Sequence, residues 1–302
     1  DVVPKPLFPV LGVPAIEWVL RTLAAAGVTD AVVNVHHLPA RLISAMGPAA
    51  GGVRLSYSDE PVVLGTGGGL SAVRDFFAGG DAFLLHNGDV FTDWDLAPLV
   101  AHHRASGAAA TLALTDPPDM PQARLVEVDG TRVVGIRDRP ASGFGPRYVY
   151  SGVAVLSPAL FRYLPPTGVS CLVEQGLIPM MRDGLRVEGV VQAGRFCDIG
   201  TAERFLALQW EVLPDAADLF ARRGLPAPLA VPATPGLIAY GRIDIAPDAV
   251  VRGPVLACEG ARIGAGAVVG PRVVLAPGAI VEAGARVADA VVLAGVRAAG
   301  EV

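Results

Sequence analysis

Ile245, Val251, Ala257, Ile263, Val269, Leu275, Val281, Val287 and Leu293 stand six residues apart. Eight of these nine are Ile, Leu or Val. Four residues after each of the first eight comes Ala or Val: Ala249, Val255, Ala261, Ala267, Val273, Ala279, Ala285 and Val291. Pro247-Asp248, Gly264, Pro277-Gly278 and Gly284 punctuate the spaces between. A branched apolar residue every six, with a small residue at fixed offset, predicts a triangular solenoid. Short strands form its faces and tight turns its corners. Three hexads complete a coil, so the stretch is expected to make about three coils.

This stretch resembles the hexapeptide-repeat left-handed parallel β-helix. Acyltransferases of that fold rely on a His base. All five His (His36, His37, His86, His102, His103) lie ahead of residue 240, which disfavours an acyltransferase. From Gly241 on, six Arg balance six acids, as suits a packing surface. The repeat is therefore read as a scaffold through which the chain forms a homo-oligomer.

Upstream the pattern changes. Strand-like runs at 31–35, 53–57, 82–86 and 109–114 alternate with helix-like segments at 39–46, 69–77 and 96–105. That rhythm predicts βαβ units and a mostly parallel sheet with helices on both faces. Further strands are expected at 124–128, 132–136, 148–156 and 185–191, and helices at 171–182 and 202–213. The expected organisation is an α/β domain over 1–213, a Pro- and Ala-rich linker over 214–240 and the solenoid over 241–302.

Composition narrows the function. The 302 residues are 52% hydrophobic and 18% charged, enough for a large core and too apolar for disorder. A net charge of −5 offers no basic footprint for nucleic acid. Cys171, Cys197 and Cys258 show no metal or disulfide spacing, as in a reducing cytoplasm. The longest uncharged stretch, 224–241, contains Pro226, Pro228, Pro232 and Pro235, which a plain membrane helix would not tolerate. The start has no basic-then-apolar leader. The chain reads as soluble and cytoplasmic.

Three clusters point to phosphate chemistry. Asn87-Gly88-Asp89 follows a strand, where open α/β sheets bind ligands. An Asp on a Gly turn there suits Mg²⁺ beside a phosphate, or caps the next helix. Leu64-Gly65-Thr66-Gly67-Gly68-Gly69 reads as a loop opening a helix near Leu70. Its glycines let a ligand approach the backbone, and the helix N-terminus favours an anion. It matches neither the Walker nor the dinucleotide fingerprint. Asp198-Ile199-Gly200-Thr201 precedes a helix that Thr201 would cap, and Asp198 offers a second carboxylate for Mg²⁺. Among 24 Lys and Arg only Lys5 is lysine. It sits between Pro4 and Pro6, a compact ammonium on a stiff backbone.

Pro4-Lys5-Pro6-Leu7, Gly12-Val13-Pro14, Leu64-Gly65-Thr66-Gly67-Gly68, Asn87-Gly88-Asp89, Tyr150-Ser151-Gly152 and Asp198-Ile199-Gly200-Thr201 follow one another in this order. In that order they resemble the sugar-1-phosphate nucleotidylyltransferases, including the mannose-1-phosphate guanylyltransferase type with a C-terminal β-helix. The resemblance covers nearly the whole chain. It implies a Rossmann-like α/β domain and transfer of a nucleotidyl group from a nucleoside triphosphate to a sugar-1-phosphate. It implies that Asp89 and Asp198 hold Mg²⁺ and that Lys5 steadies the triphosphate. Gly65, Thr66 and Gly67, with Asn87 and Gly88, would contact the nucleotide, and Gly152 the sugar.

Two features depart from that pattern. Where the family has Glu-Lys-Pro, an acid and a base for the sugar phosphate, this chain has Asp138-Arg139-Pro140. Arg binds phosphate with different reach. The family's Gly-x-Gly-Thr-Arg loop falls ahead of Asp1, so the natural protein is expected to carry about twenty more residues, a strand and a loop. GTP with mannose-1-phosphate is the favoured pair. A uridylyltransferase for an N-acetylated amino sugar 1-phosphate, or a non-catalytic sugar-nucleotide-binding subunit, are the alternatives.

Overall fold

The computed structural model describes residues 3–116, 120, 123, 125–137 and 145–302. They divide into two units. The first comprises Val19–Phe196 with the residues before Lys5; the second comprises Lys5–Trp18 and Cys197–Val302.

A six-stranded sheet organises the first unit, in the order Phe83–His86, Arg147–Leu156, Ala110–Thr115, Val187–Val191, Arg132–Ile136, Val126–Asp129. Ala110–Thr115 is buried at every residue. Its side chains alternate between two cores. Leu112 and Leu114 pack with Leu172, Leu177 and Met180; Ala113 packs with Val19, Leu23, Trp94 and Leu99. This is the period of two that a strand imposes.

The expectation of a mostly parallel sheet needs correction. Only Ala110–Thr115 with Val187–Val191 is parallel in this sheet; its other pairings are antiparallel. Parallel neighbours need a long crossover, whereas Val126–Asp129 and Arg132–Ile136 are joined by two residues and form a hairpin. The βαβ reading does hold for Asp30–Val35 and Val53–Asp59, parallel over six pairs, with Pro39–Met46 as the crossover helix.

In the second unit, Thr201 caps the helix Ala202–Val212, its Oγ1 accepting the Arg204 N–H at 3.3 Å. Gln209 of that helix, fully buried, ties down the segment after Lys5. It accepts the Leu11 N–H at 2.9 Å and donates to the Pro9 carbonyl at 2.9 Å. The stretch expected as a linker is ordered. It holds the helix Ala216–Arg222, whose Phe220 meets Trp18 and Tyr240 edge-on. It also holds the strands Leu229–Ala230 and Leu237–Tyr240. Leu237–Tyr240 pairs with Val255–Cys258, so the solenoid starts ahead of Gly241. The prolines stand between these elements rather than inside them.

The solenoid is a three-sided parallel β-helix whose successive coils pair in register. Ile245 lies opposite Ile263 and Ile263 opposite Val281, eighteen residues apart each. The hexad residues Ile263, Val269, Leu275, Val281 and Val287 fill its core. The ninth, Leu293, does not. Leu275 pairs with Val292 and Val281 with Ala298, one residue short of the period. The shortened corner passes through Asp289 at φ 51°, whose carboxylate takes the Arg272 Nε at 2.5 Å. Among the described residues no helix is long and apolar enough to cross a membrane.

Candidate active site

The turn Asn87-Gly88-Asp89 follows the strand Phe83–His86. A bulge in the neighbouring strand holds it. Between the pairs Tyr150–Leu114 and Ala154–Leu112 the register shifts, and Ser151 Oγ stitches the bulge by donating to the Ala113 carbonyl at 2.8 Å. Gly152 takes φ +80° there, and its carbonyl accepts the Asn87 N–H at 3.1 Å. A Cβ on Gly152 would strike the Asn87 side chain. Gly152 is thus buried beneath the turn and supports it. Asp89 is half-buried and has no ion-pair partner among the described residues.

The glycine cluster is a helix, Gly65–Ala72, and not a loop ahead of one. Three consecutive glycines are costly inside a helix. Each has a neighbour close to where a side chain would begin. A Cβ on Gly67 would stand 2.7 Å from Ser170 Oγ, one on Gly69 2.8 Å from Glu60 Oε1, and one on Gly68 would collide with the Gly168 carbonyl. The Ser170 carbonyl accepts the N–H of Gly67 at 3.0 Å and of Gly68 at 3.3 Å. The N–H groups of Gly65 and Thr66 open the helix, where no intrahelical acceptor exists.

Both pieces border one cavity of about 900 Å³ within the first unit. Gly65, Thr66, Asn87, Gly88 and Asp89 line it, so five of the expected residues border one cavity. Gly67 faces Ser170 instead. Glu60 and Asn34, which sequence reasoning missed, line the same cavity. The only sequence signal for Glu60 is an acid at the end of a strand, five residues before Gly65.

Lys5 is exposed in a short 3-10 turn, Lys5–Leu7, of the second unit. Asp198 ends the strand Phe196–Asp198, and its Oδ2 lies 3.9 Å from Arg204 Nη1. Asp138 and Arg139 lie outside the described residues. No group of three His, Cys, Asp or Glu poised for a metal occurs among the described residues. Three histidines, His36, His102 and His103, make structural contacts. His36 Nδ1 donates to the Glu60 carbonyl at 2.6 Å. His103 is buried and shares a 2.9 Å hydrogen bond with Thr111 Oγ1. His102 meets the buried Glu188, which Arg186 also holds. Burial pushes the Glu188 carboxyl up, but bonds from Thr131, Arg186 and His102 hold it below the usual range.

Known proteins match this architecture. A family model described as nucleotidyl transferase matches residues 1–213. N-acetylmuramate alpha-1-phosphate uridylyltransferase of Neisseria meningitidis is 32% identical over 219 residues, 69% of this chain and 89% of that protein. Mannose-1-phosphate guanylyltransferase of Mycobacterium tuberculosis is 29% identical over 268 residues, 87% of this chain and 71% of that protein. Among solved structures, a UDP-glucose pyrophosphorylase from Acinetobacter baumanii superposes with a TM-score of 0.61 at 20% identity. It covers 72% of this chain and 89% of its own. That likeness gives the Rossmann-like α/β fold.

Proposed function

The chain belongs to the nucleotidyl transferase family, and from that premise we propose that it transfers guanylyl from GTP to mannose-1-phosphate, releasing pyrophosphate. At the coarser level it is a sugar-1-phosphate nucleotidyltransferase. The observation that carries the reading is the cavity that a helix N-terminus and a carboxylate turn both border. The guanylyl branch is favoured because the Mycobacterium tuberculosis relative matches 87% of this chain, reaching into the solenoid. The Neisseria meningitidis relative favours the second reading, uridylyl transfer to an N-acetylated sugar 1-phosphate.

The reaction is an in-line displacement. The sugar-phosphate oxygen attacks the α-phosphorus, its bond to the bridging oxygen breaks, and pyrophosphate leaves with that electron pair. No covalent enzyme intermediate is needed, so positioning and charge neutralisation do the catalysis. The N–H groups of Gly65 and Thr66 supply donors where the nucleotide would lie. Lys5 would neutralise triphosphate charge; Asp138 and Arg139 would take the sugar phosphate. Gly152 would act through Asn87.

Mg²⁺ fits the donor set. It is commonly bound by one or two carboxylates plus phosphate oxygens and water, and Asp89 offers an unpaired carboxylate on the cavity wall. Asp89 and Asp198 would hold it, and when bound it would offset the charge developing on the phosphates. The solenoid would join copies of the chain, and the protein would work in the cytoplasm.

The test is pyrophosphate release from each nucleoside triphosphate against a panel of sugar-1-phosphates with Mg²⁺. Turnover fastest with GTP and mannose-1-phosphate is expected. Preference for UTP with an N-acetylated sugar would establish the second reading. No turnover by folded protein would leave a non-catalytic binding subunit.

A further inference from the structure

Gln209 commits a fully buried amide to a segment 200 residues away. A leucine would fill this helix position without the cost of desolvating an amide. What the amide adds is register. Its Oε1 takes the Leu11 N–H and its Nε2 gives to the Pro9 carbonyl, so a slip of the segment by one residue would break both bonds. The segment needs such a hold. Pro9–Val10 pairs with Val13–Pro14 through a turn at Leu11 and Gly12, whose φ are 49° and 80°. Glycine takes that conformation freely, whereas leucine is strained in it and keeps it only where its neighbours over-determine it. Around Leu11 they do. Its side chain is buried, Gln209 holds its N–H, and Cys258 of the solenoid donates from Sγ to its carbonyl at 3.9 Å. The Val10 carbonyl accepts the Trp18 Nε1–H at 3.0 Å.

The clamped main chain leads directly to the only lysine. The Phe8 N–H donates to the Lys5 carbonyl at 2.9 Å and closes the turn Lys5–Leu7. The Phe8 ring lies 5.6 Å from that of Phe205, which stands one helical turn ahead of Gln209 on the same face. That helix, Ala202–Val212, begins four residues after Asp198, and Thr201 caps it. A helix is a rigid spacer, so its N-terminal end and its Gln209 face keep a fixed separation. We propose that Gln209 is a positioning residue which, through the main chain of Pro9 and Leu11, sets Lys5 relative to Asp198 for the triphosphate. All of these groups belong to the second unit. The inference rests on the nucleotidyl-transfer reading, which gives Lys5 and Asp198 their ligands, and adds a residue that touches no ligand itself.

With one lysine in the chain, amine acetylation followed by peptide mapping reports on Lys5 alone. The full chain is acetylated with limiting reagent while GTP or UTP is titrated with Mg²⁺. The nucleotide that wild type prefers is expected to protect Lys5. Gln209→Met keeps the side-chain length and removes both bonds. It should raise the nucleotide concentration for half-protection by about tenfold, and the KM for nucleotide with it, while the KM for sugar phosphate stays within about twofold. A merely structural Gln209 would lower the melting temperature and leave half-protection where it is. Coupling is reciprocal, so in wild type saturating nucleotide should slow hydrogen exchange at the Leu11 amide by about tenfold while the solenoid amides of 273–275 keep their rates. That measurement needs no substitution and decides the matter if the variant does not fold. Unchanged half-protection in folded Gln209→Met, or unchanged Leu11 exchange, would overturn the role of Gln209 alone. Nucleotide that binds wild type in a calorimeter without protecting Lys5 would also overturn it and leave the transfer reading standing. Binding of no nucleotide by folded wild type would overturn the nucleotidyl-transfer reading itself.

Discussion

Gly69 and Glu60 are a fitted pair: a Cβ on Gly69 would stand 2.8 Å from the unsatisfied Oε1 of Glu60. The neighbour is the free end of a flexible side chain, so it can shift. Inside a helix Ala is favoured over Gly by about 1 kcal/mol. Gly69→Ala should therefore leave stability unchanged or raise it while displacing the carboxyl. Gly68→Ala meets main chain at Gly168, which cannot move aside, and should cost about 1–3 kcal/mol. Thermal melts separate the two. A Gly69→Ala protein that melts well below wild type would show that the Glu60 carboxyl cannot move aside.

Asp89 sits on a turn fastened by main chain, through the Asn87 N–H and the Gly152 carbonyl, and not by its own carboxylate. Asp89→Asn should accordingly change stability by less than about 0.5 kcal/mol and lower Mg²⁺-dependent turnover by at least about a hundredfold. Gly152→Ala attacks the fastening instead. At φ +80° and against Asn87, it should cost about 1–3 kcal/mol in backbone strain and lower turnover with it. Kinetics and melting curves for the pair check both. Full activity in Asp89→Asn would remove Asp89 from the proposed metal site.

His103 gives a pH dependence with a definite sign. Burial first, then the charges of His102 and Arg104, lowers its pKa below the ordinary 6.5. The unfolded chain takes up this proton more readily than the folded one. Stability is therefore full above about pH 6.5 and falls as the pH drops below it. Denaturant titrations at pH 7.5 and 5.5 should show the acid loss in wild type and a smaller loss in His103→Gln. Equal losses in both would assign the acid sensitivity to other groups.

The legible parts of this sequence were the local ones. A coil of the solenoid sets a period of six by its own geometry, and the repeat displayed it. Thr201 caps its helix because the N–H it accepts, that of Arg204, is only three residues away. The helix Gly65–Ala72 was misread because glycine signals a loop locally. The reason for glycine is spatial: Ser170 and Gly168 are about a hundred residues away, and Glu60 follows the strand Val53–Asp59 outside the helix. Glu60 was missed for the same cause, since an acid beside a proline at a strand end resembles a surface residue until its burial is seen. The mixed sheet followed from strands joined without helices, which strand counting alone did not weigh.

The last coil of the solenoid offers the sharpest contest between counting and structure. Counting by six places Leu293 in the core. The pairing of Leu275 with Val292 places Val292 there, 4% exposed, and leaves Leu293 at intermediate burial. At about 0.8 kcal/mol for each buried methylene-sized group, Val292→Ala should cost about 1–2 kcal/mol. Leu293→Ala removes more atoms, yet from a partly wet position, and should cost less. Denaturant unfolding of the two variants decides the register. A greater loss in Leu293→Ala would mean that the period of eighteen continues through the last corner and that Asp289 does not shorten it.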